Sequence, residues 1–89
     1  MQDNFLAKMG ERIVTGRNML NYTQEQVAEL AGVTRQTIQM AEKGQSELKA
    51  KSIVGIAKAL EMSVDYLLSG KQTEYDLQIL DKRDRKSVV

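Results

Sequence analysis

Between Thr34 and Gly44 the 89-residue chain places Arg35, Gln36, Gln39, Met40 and Lys43 on one side of a helical period. Ile38, Ala41 and Glu42 fall on the other side, with Thr37 between the two sets. A guanidinium donates a bidentate pair to guanine O6 and N7, and a glutamine amide makes the equivalent pair with adenine N6 and N7, each discriminating by ~1–3 kcal/mol. Arg35, Gln36 and Gln39 therefore have the chemistry of base readers. Met40 has two readings that sequence leaves open, contact with a thymine methyl or the filling of a gap near a dimer contact. An isolated run of this kind is more often a solvated helix face, because Arg and Gln are good helix formers. Its meaning depends on the elements that frame it.

A second chemistry lies at the helix starts. Thr23-Gln24-Glu25-Gln26 matches a capping box, which puts Gln24 at a positive helix end with unpaired backbone N–H groups, where phosphate is the natural ligand. Thr23, Gln24, Thr34, Thr37, Lys43 and Gln45 form the candidate phosphate set, with Lys49 and Lys51 serving either phosphate or solvent. Charge supports this weakly: the chain carries only +1 overall, but residues 33–58 hold five basic and two acidic side chains.

Composition removes most alternatives. The chain has no Cys, His, Pro or Trp, so thiolate–imidazole zinc sites, disulfides and Cys-His or Ser-His-Asp couples are excluded. Its six glycines spell neither a P-loop nor a dinucleotide turn. The carboxylates are scattered among bases, so no enzyme, metal or cofactor is expected. Apolar stretches are far shorter than the roughly 18 residues of a membrane span, and Met1 to Asn4 do not open a cleavable signal. A soluble, cytoplasmic protein is expected.

Apolar residues recurring at three and four predict helix throughout. The first segment runs from about Asn4 to Leu20, with Leu6, Met9, Ile13, Arg17 and Leu20 on one stripe. The second opens after Thr23, buries Val27, Ala28 and Ala31, and stops at Gly32. The third starts at the Thr34 cap and stops at Gly44. A fourth carries Ile53, Ile56, Ala57 and Leu60, interrupted by Gly55, where close packing and simple tolerance are both open. A fifth opens at Ser63, buries Val64, Leu67 and Leu68, and closes at Gly70. Residues 1–70 form the expected domain and 71–89 a charged tail, read as a partial helix or a dimerisation element. Within the tail, Tyr75, Leu77 and Ile79 alternate as in a strand, whereas the pairs 77/80 and 75/79 fit a helix.

Two short helices joined through Gly32-Val33-Thr34 and framed by apolar helices make a helix-turn-helix at about residues 24–43. GERIVTGRNMLNYTQEQVAELAGVTRQTIQMAEKG followed by SIVGIAKALEMSVDYLL resembles the Xre family, the DNA-binding domain of lambdoid phage repressors and Cro, over about residues 9–69. The resemblance implies an all-α, five-helix lambda-repressor-like domain, usually a homodimer on double-stranded DNA. It implies a sequence-specific transcriptional regulator, with repression as the expected sense, reading a palindromic operator through the helix 35–43. It places base contacts at Arg35, Gln36 and Gln39 and a phosphate contact at Gln24. The rival class is an antitoxin-like or adaptor module whose helices, or whose tail, cover a protein partner.

Arg17 poses a separate physical question, because a guanidinium facing a core must be paired or cost several kcal/mol. Glu42 faces inward in the same way, and the expectation is a bidentate Arg17–Glu42 pair, as at matching positions of the similar repressors. Three departures from the family pattern stand out. Ala41 is small, so the core beneath the recognition helix is either thinner or filled from elsewhere, with Met62 or Tyr22 as candidates. Leu30 occupies a usually polar position, and the proline common before the fourth helix is absent, which leaves the path of residues 45–50 open.

Overall fold

The computed structural model describes residues 4–88, with side-chain surroundings for 4–81; the remaining ends of the expected domain and tail, residues 1–3 and Val89, lie outside the described residues. Among the described residues six helices follow one another: α1 Phe5–Met19, α2 Gln24–Ala31, α3 Arg35–Glu42, α4 Ala50–Ala59, α5 Val64–Ser69 and α6 Glu74–Val88. The five helices expected up to Gly70 are present. The sixth lies in the tail, which is helical from Glu74, so of the two readings of residues 75–79 the strand fails.

Local chemistry sets these boundaries. At α2 the capping box is complete, with Thr23 Oγ1 accepting from the Gln26 amide at 3.0 Å and Gln26 Oε1 accepting from the Thr23 amide at 2.8 Å. Gly32 ends α2 in the left-handed region at φ 76. Thr34 Oγ1 accepts from the Thr37 amide at α3 and Ser63 Oγ from the Tyr66 amide at α5. Lys49, at the start of α4, provides no side-chain cap.

Met9, Ile13, Val27, Ile38, Ile56, Leu60 and Leu67 are fully buried and form one core, with Ala28, Ala41, Ala57 and Met62 completing it. α2 packs most extensively on α4, and α3 sits between α1 and α2. At Ala41 the core is thin, because α1 comes into backbone contact with the end of α3. A Cβ at Gly10 would stand 2.6 Å from the carbonyl oxygens of both Ala41 and Glu42, so α1 lies directly on α3. Met62 lies elsewhere, its Cε against Gly16, and Tyr22 is half-buried at the edge of the core. Gly55 also reflects close packing, because a Cβ there would strike the Ala31 carbonyl.

α6 is fastened by one carboxylate. Asp76 is 5% exposed, and its Oδ1 accepts from the Ser63 amide at 2.7 Å. Its Oδ2 accepts from Ser63 Oγ at 2.6 Å and from the Thr73 amide and Thr73 Oγ1 at 2.8 Å each. Thr73 and Asp76 thus cap α6 while Asp76 also holds the residue that starts α5. The alternation of Tyr75, Leu77 and Ile79 misleads because the inward set is buried Asp76 with half-buried Ile79 and Leu80, a helical spacing whose first member is charged. Burial raises the Asp76 pKa, but the four hydrogen bonds from Ser63 and Thr73 outweigh it and hold the carboxyl below its ordinary value.

Two outcomes follow. Asp76→Asn is expected to destabilise by about 2 kcal/mol at pH 7, measured by denaturant titration. Because the folded carboxyl titrates below the unfolded value of ~3.9, its stabilisation is complete above that pH and is lost as pH falls through the folded pKa. The gap between wild type and variant should therefore narrow on acidification below about pH 4. Gly55→Ala, which in an ordinary helix gains ~1 kcal/mol, should here cost ~1–3 kcal/mol because α2 and α4 must separate, seen as a lowered Tm.

Candidate nucleic-acid interface

The position of α3 is fixed by a buried polar knot. Arg17 Nε donates to Glu42 Oε2 at 2.6 Å and Arg17 Nη2 to Glu42 Oε1 at 3.2 Å, the bidentate fork expected of this pair. The side chains are 18% and 6% exposed respectively. Arg17 Nη1 also donates to the Tyr22 carbonyl at 3.0 Å, which fixes the turn from α1 into α2. Glu42 Oε1 accepts a third bond, from Gln24 Nε2 at 2.8 Å. One carboxylate at the end of α3 thus joins α1 and the first residue of α2.

Sequence reading placed Gln24 only at phosphate and missed this bond. No spacing rule links residues 24 and 42, so only the folded arrangement could have shown it. The amide keeps its second N–H, and the two roles are compatible.

The joint between the two short helices is equally constrained. Past Gly32, the Val33 amide donates back to the Ala28 carbonyl at 3.0 Å. Thr34 Oγ1 and Thr37 Oγ1 lie 2.9 Å apart and share one proton. The pair therefore retains one hydroxyl proton for an outside acceptor. Thr23 Oγ1 acts as a cap acceptor and also keeps its own proton to donate.

Most of the outward residues, though not Gln39, fall around two open grooves. The first, about 500 Å³, is lined by Arg17, Asn21, Thr23, Gln24, Glu25 and Arg35 at the start of α2. The second, about 380 Å³, runs along α3 and is lined by Val33, Thr34, Gln36, Thr37 and Met40 together with the segment 46–49. Arg35 and Gln36 are exposed, while Thr37, Gln39 and Met40 are half-buried. Lys43 and Gln45 are exposed just past α3 but line neither groove. Lys49 stands at the second groove and Lys51 does not.

Val33 and Glu47, both in the second groove, were missed by sequence reading. Val33 was counted only as part of the turn, and an exposed Glu in a polar connection carries no signal of its own. Leu30 is 58% exposed, so its unusual side chain contributes nothing to the core. Among the described residues no group of acidic, Cys or His side chains could hold a metal, and no helix is long and apolar enough to cross a membrane.

Comparison with known proteins agrees with this arrangement. The helix-turn-helix family model matches residues 15–67. An SPbeta prophage-derived HTH-type transcriptional regulator of Bacillus subtilis is 34% identical over 68 residues, covering 76% of this chain and 63% of that regulator. The repressor protein C2 of Salmonella phage P22 is 36% identical over 62 residues, covering 70% of this chain and 29% of that repressor. The crystal structure of the P22 c2 repressor in complex with a synthetic operator superposes with a TM-score of 0.68 at 35% identity, over 71% of this chain and 96% of that one. The chain belongs to the helix-turn-helix family, in its Xre group of lambdoid repressor-like proteins.

Removing Arg17 leaves Glu42 buried with only Gln24 as a partner. Arg17→Ala should therefore destabilise by ~3–5 kcal/mol in a denaturant titration, and a loss below ~1 kcal/mol, the level of an exposed pair, would show that the knot does not hold the fold.

Proposed function

We propose that the protein is a sequence-specific DNA-binding transcriptional regulator, acting as a repressor, that reads a palindromic operator as a homodimer with α3 in the major groove. The observation that carries this reading is that the outer face of α3 is open: Arg35 and Gln36 are exposed, while α6 is docked through Asp76 on the start of α5 and beside Arg12, Thr15 and Met19 of α1. The operator-bound P22 c2 repressor is a relative of the same fold, which supports DNA as the partner.

In this reading Arg35, Gln36 and Gln39 make the base contacts. Met40, with Val33 beside it in the second groove, supplies apolar contact to thymine methyls. Gln24, with its remaining N–H and the amides opening α2, meets phosphate, joined by Thr23, the Thr34–Thr37 hydroxyl pair, Lys43 and Gln45. One recognition helix reads too few base pairs to select an operator, so two copies about one helical turn apart, ~34 Å, complete the reader. The protein would act in the cytoplasm, and no catalytic step is assigned to it.

A second reading, an antitoxin-like or adaptor module, rests on apolar side chains left exposed: Leu30 on α2, Val54 on α4, and Tyr75 and Leu77 on α6. Salt separates the two readings, because affinity built on phosphate contacts falls linearly as log K against log salt and an apolar protein interface does not.

Selection from a random oligonucleotide pool is the direct test, and it should return palindromes with half-sites one turn apart. Arg35→Ala and Gln36→Ala should each relax preference at one position at a cost of ~1–3 kcal/mol. Gln24→Ala should weaken binding to all duplexes alike. If the preferred site survives both α3 changes, the readers are misassigned.

A further inference from the structure

The second groove contains a charge that phosphate binding does not explain. Its charged lining residues are Lys49 and Glu47, and Glu47 stands beside Gln36, Thr37 and Met40, the outward residues of α3. Glu47 is exposed, and no hydrogen bond or ion pair ties it to another described residue. A structural ion pair therefore does not account for it. An ionised carboxylate accepts hydrogen bonds and donates none, so it cannot bind phosphate, and beside a duplex backbone it is repelled.

Base edges in the major groove behave differently. Cytosine N4 presents an amino donor there, and a glutamate side chain accepts from it. A carboxylate on this wall is thus favoured only in a register that puts it over base edges. In any other register the same charge faces phosphates and opposes binding.

We propose that Glu47 is a specificity-determining residue that accepts from a cytosine amino group in the operator complex and repels the backbone of non-operator DNA. This inference rests on the DNA-binding reading above. It differs from the assigned readers in its sign, since Glu47 acts mainly by weakening the wrong complexes.

The test compares wild type with Glu47→Gln on the selected operator and on a random-sequence duplex of equal length, across a salt series. Glu47→Gln should bind the random duplex about three- to tenfold more tightly at low salt, a gain that shrinks as the Debye length falls to ~8 Å near 0.15 M. Operator affinity should not rise with it, so the specificity ratio falls about threefold or more, and reselection with the variant should relax the preference for cytosine at one position of each half-site, because an amide can donate as well as accept. Glu47→Lys should bind random duplex more tightly still. Equal changes on both duplexes, or no change on either, would overturn the proposal. Because Glu47 is exposed and unbonded, both variants should melt with wild type, which separates this effect from misfolding. Wild-type protein that shows no salt-dependent binding to any duplex would instead remove the DNA-binding reading itself.

Discussion

The reading surface depends on one buried carboxylate. Glu42 receives Arg17 from α1 and Gln24 from α2, so the end of α3 cannot tilt without breaking bonds to two other helices. Such a pair adds little net stability compared with a well-packed apolar substitute, since desolvation of both charges offsets their attraction. Its value is directional: the planar guanidinium fork accepts only a narrow range of approach. An eight-residue helix is too short to hold its own orientation, and apolar packing through Ile38 and Ala41 alone would tolerate rotation about the helix axis. The knot removes that freedom while leaving Arg35 and Gln36 in solvent.

Close backbone contact reinforces the same geometry. α1 lies on the end of α3 at Gly10, and α4 lies on the end of α2 at Gly55. Small residues at these crossings let the helix axes approach until carbonyl groups fill the gap, which leaves little slack to be taken up by repacking. The two short helices are therefore held from behind by polar and steric contacts, and their outer faces are left to chemistry with a ligand.

Among the first five helices, α2, α3 and α5 were legible because each carries a start signal, an apolar stripe and a stop, whereas α1 and α4 were legible by their apolar stripes alone. Thr23, Thr34 and Ser63 behave as caps, and Gly32 adopts the left-handed conformation that its place demanded. The Arg17–Glu42 pair was legible for a different reason: two charges on inward faces have few physical outcomes. What remained hidden was set by distance in three dimensions. Gln24 satisfies both a helix-start rule and a partner 18 residues away, and sequence exposes only the first. The tail was undecided because the first of its inward residues is an aspartate, whereas periodicity counts apolar side chains. Glu47 and Val33 belong to the wall of a groove formed by α3 and the following segment, and nothing in their immediate neighbours signals it.

Asp76 bears on how this chain could be divided. Gly70 looks like a natural place to cut, since a helix closes there and a charged segment follows. Yet the serine that begins α5 has its amide and hydroxyl engaged by a side chain six positions beyond that glycine. A fragment trimmed at Gly70 would hand both donors back to water. Any fusion or swap of the C-terminal segment should therefore keep Thr73 and Asp76 with the body rather than with the graft.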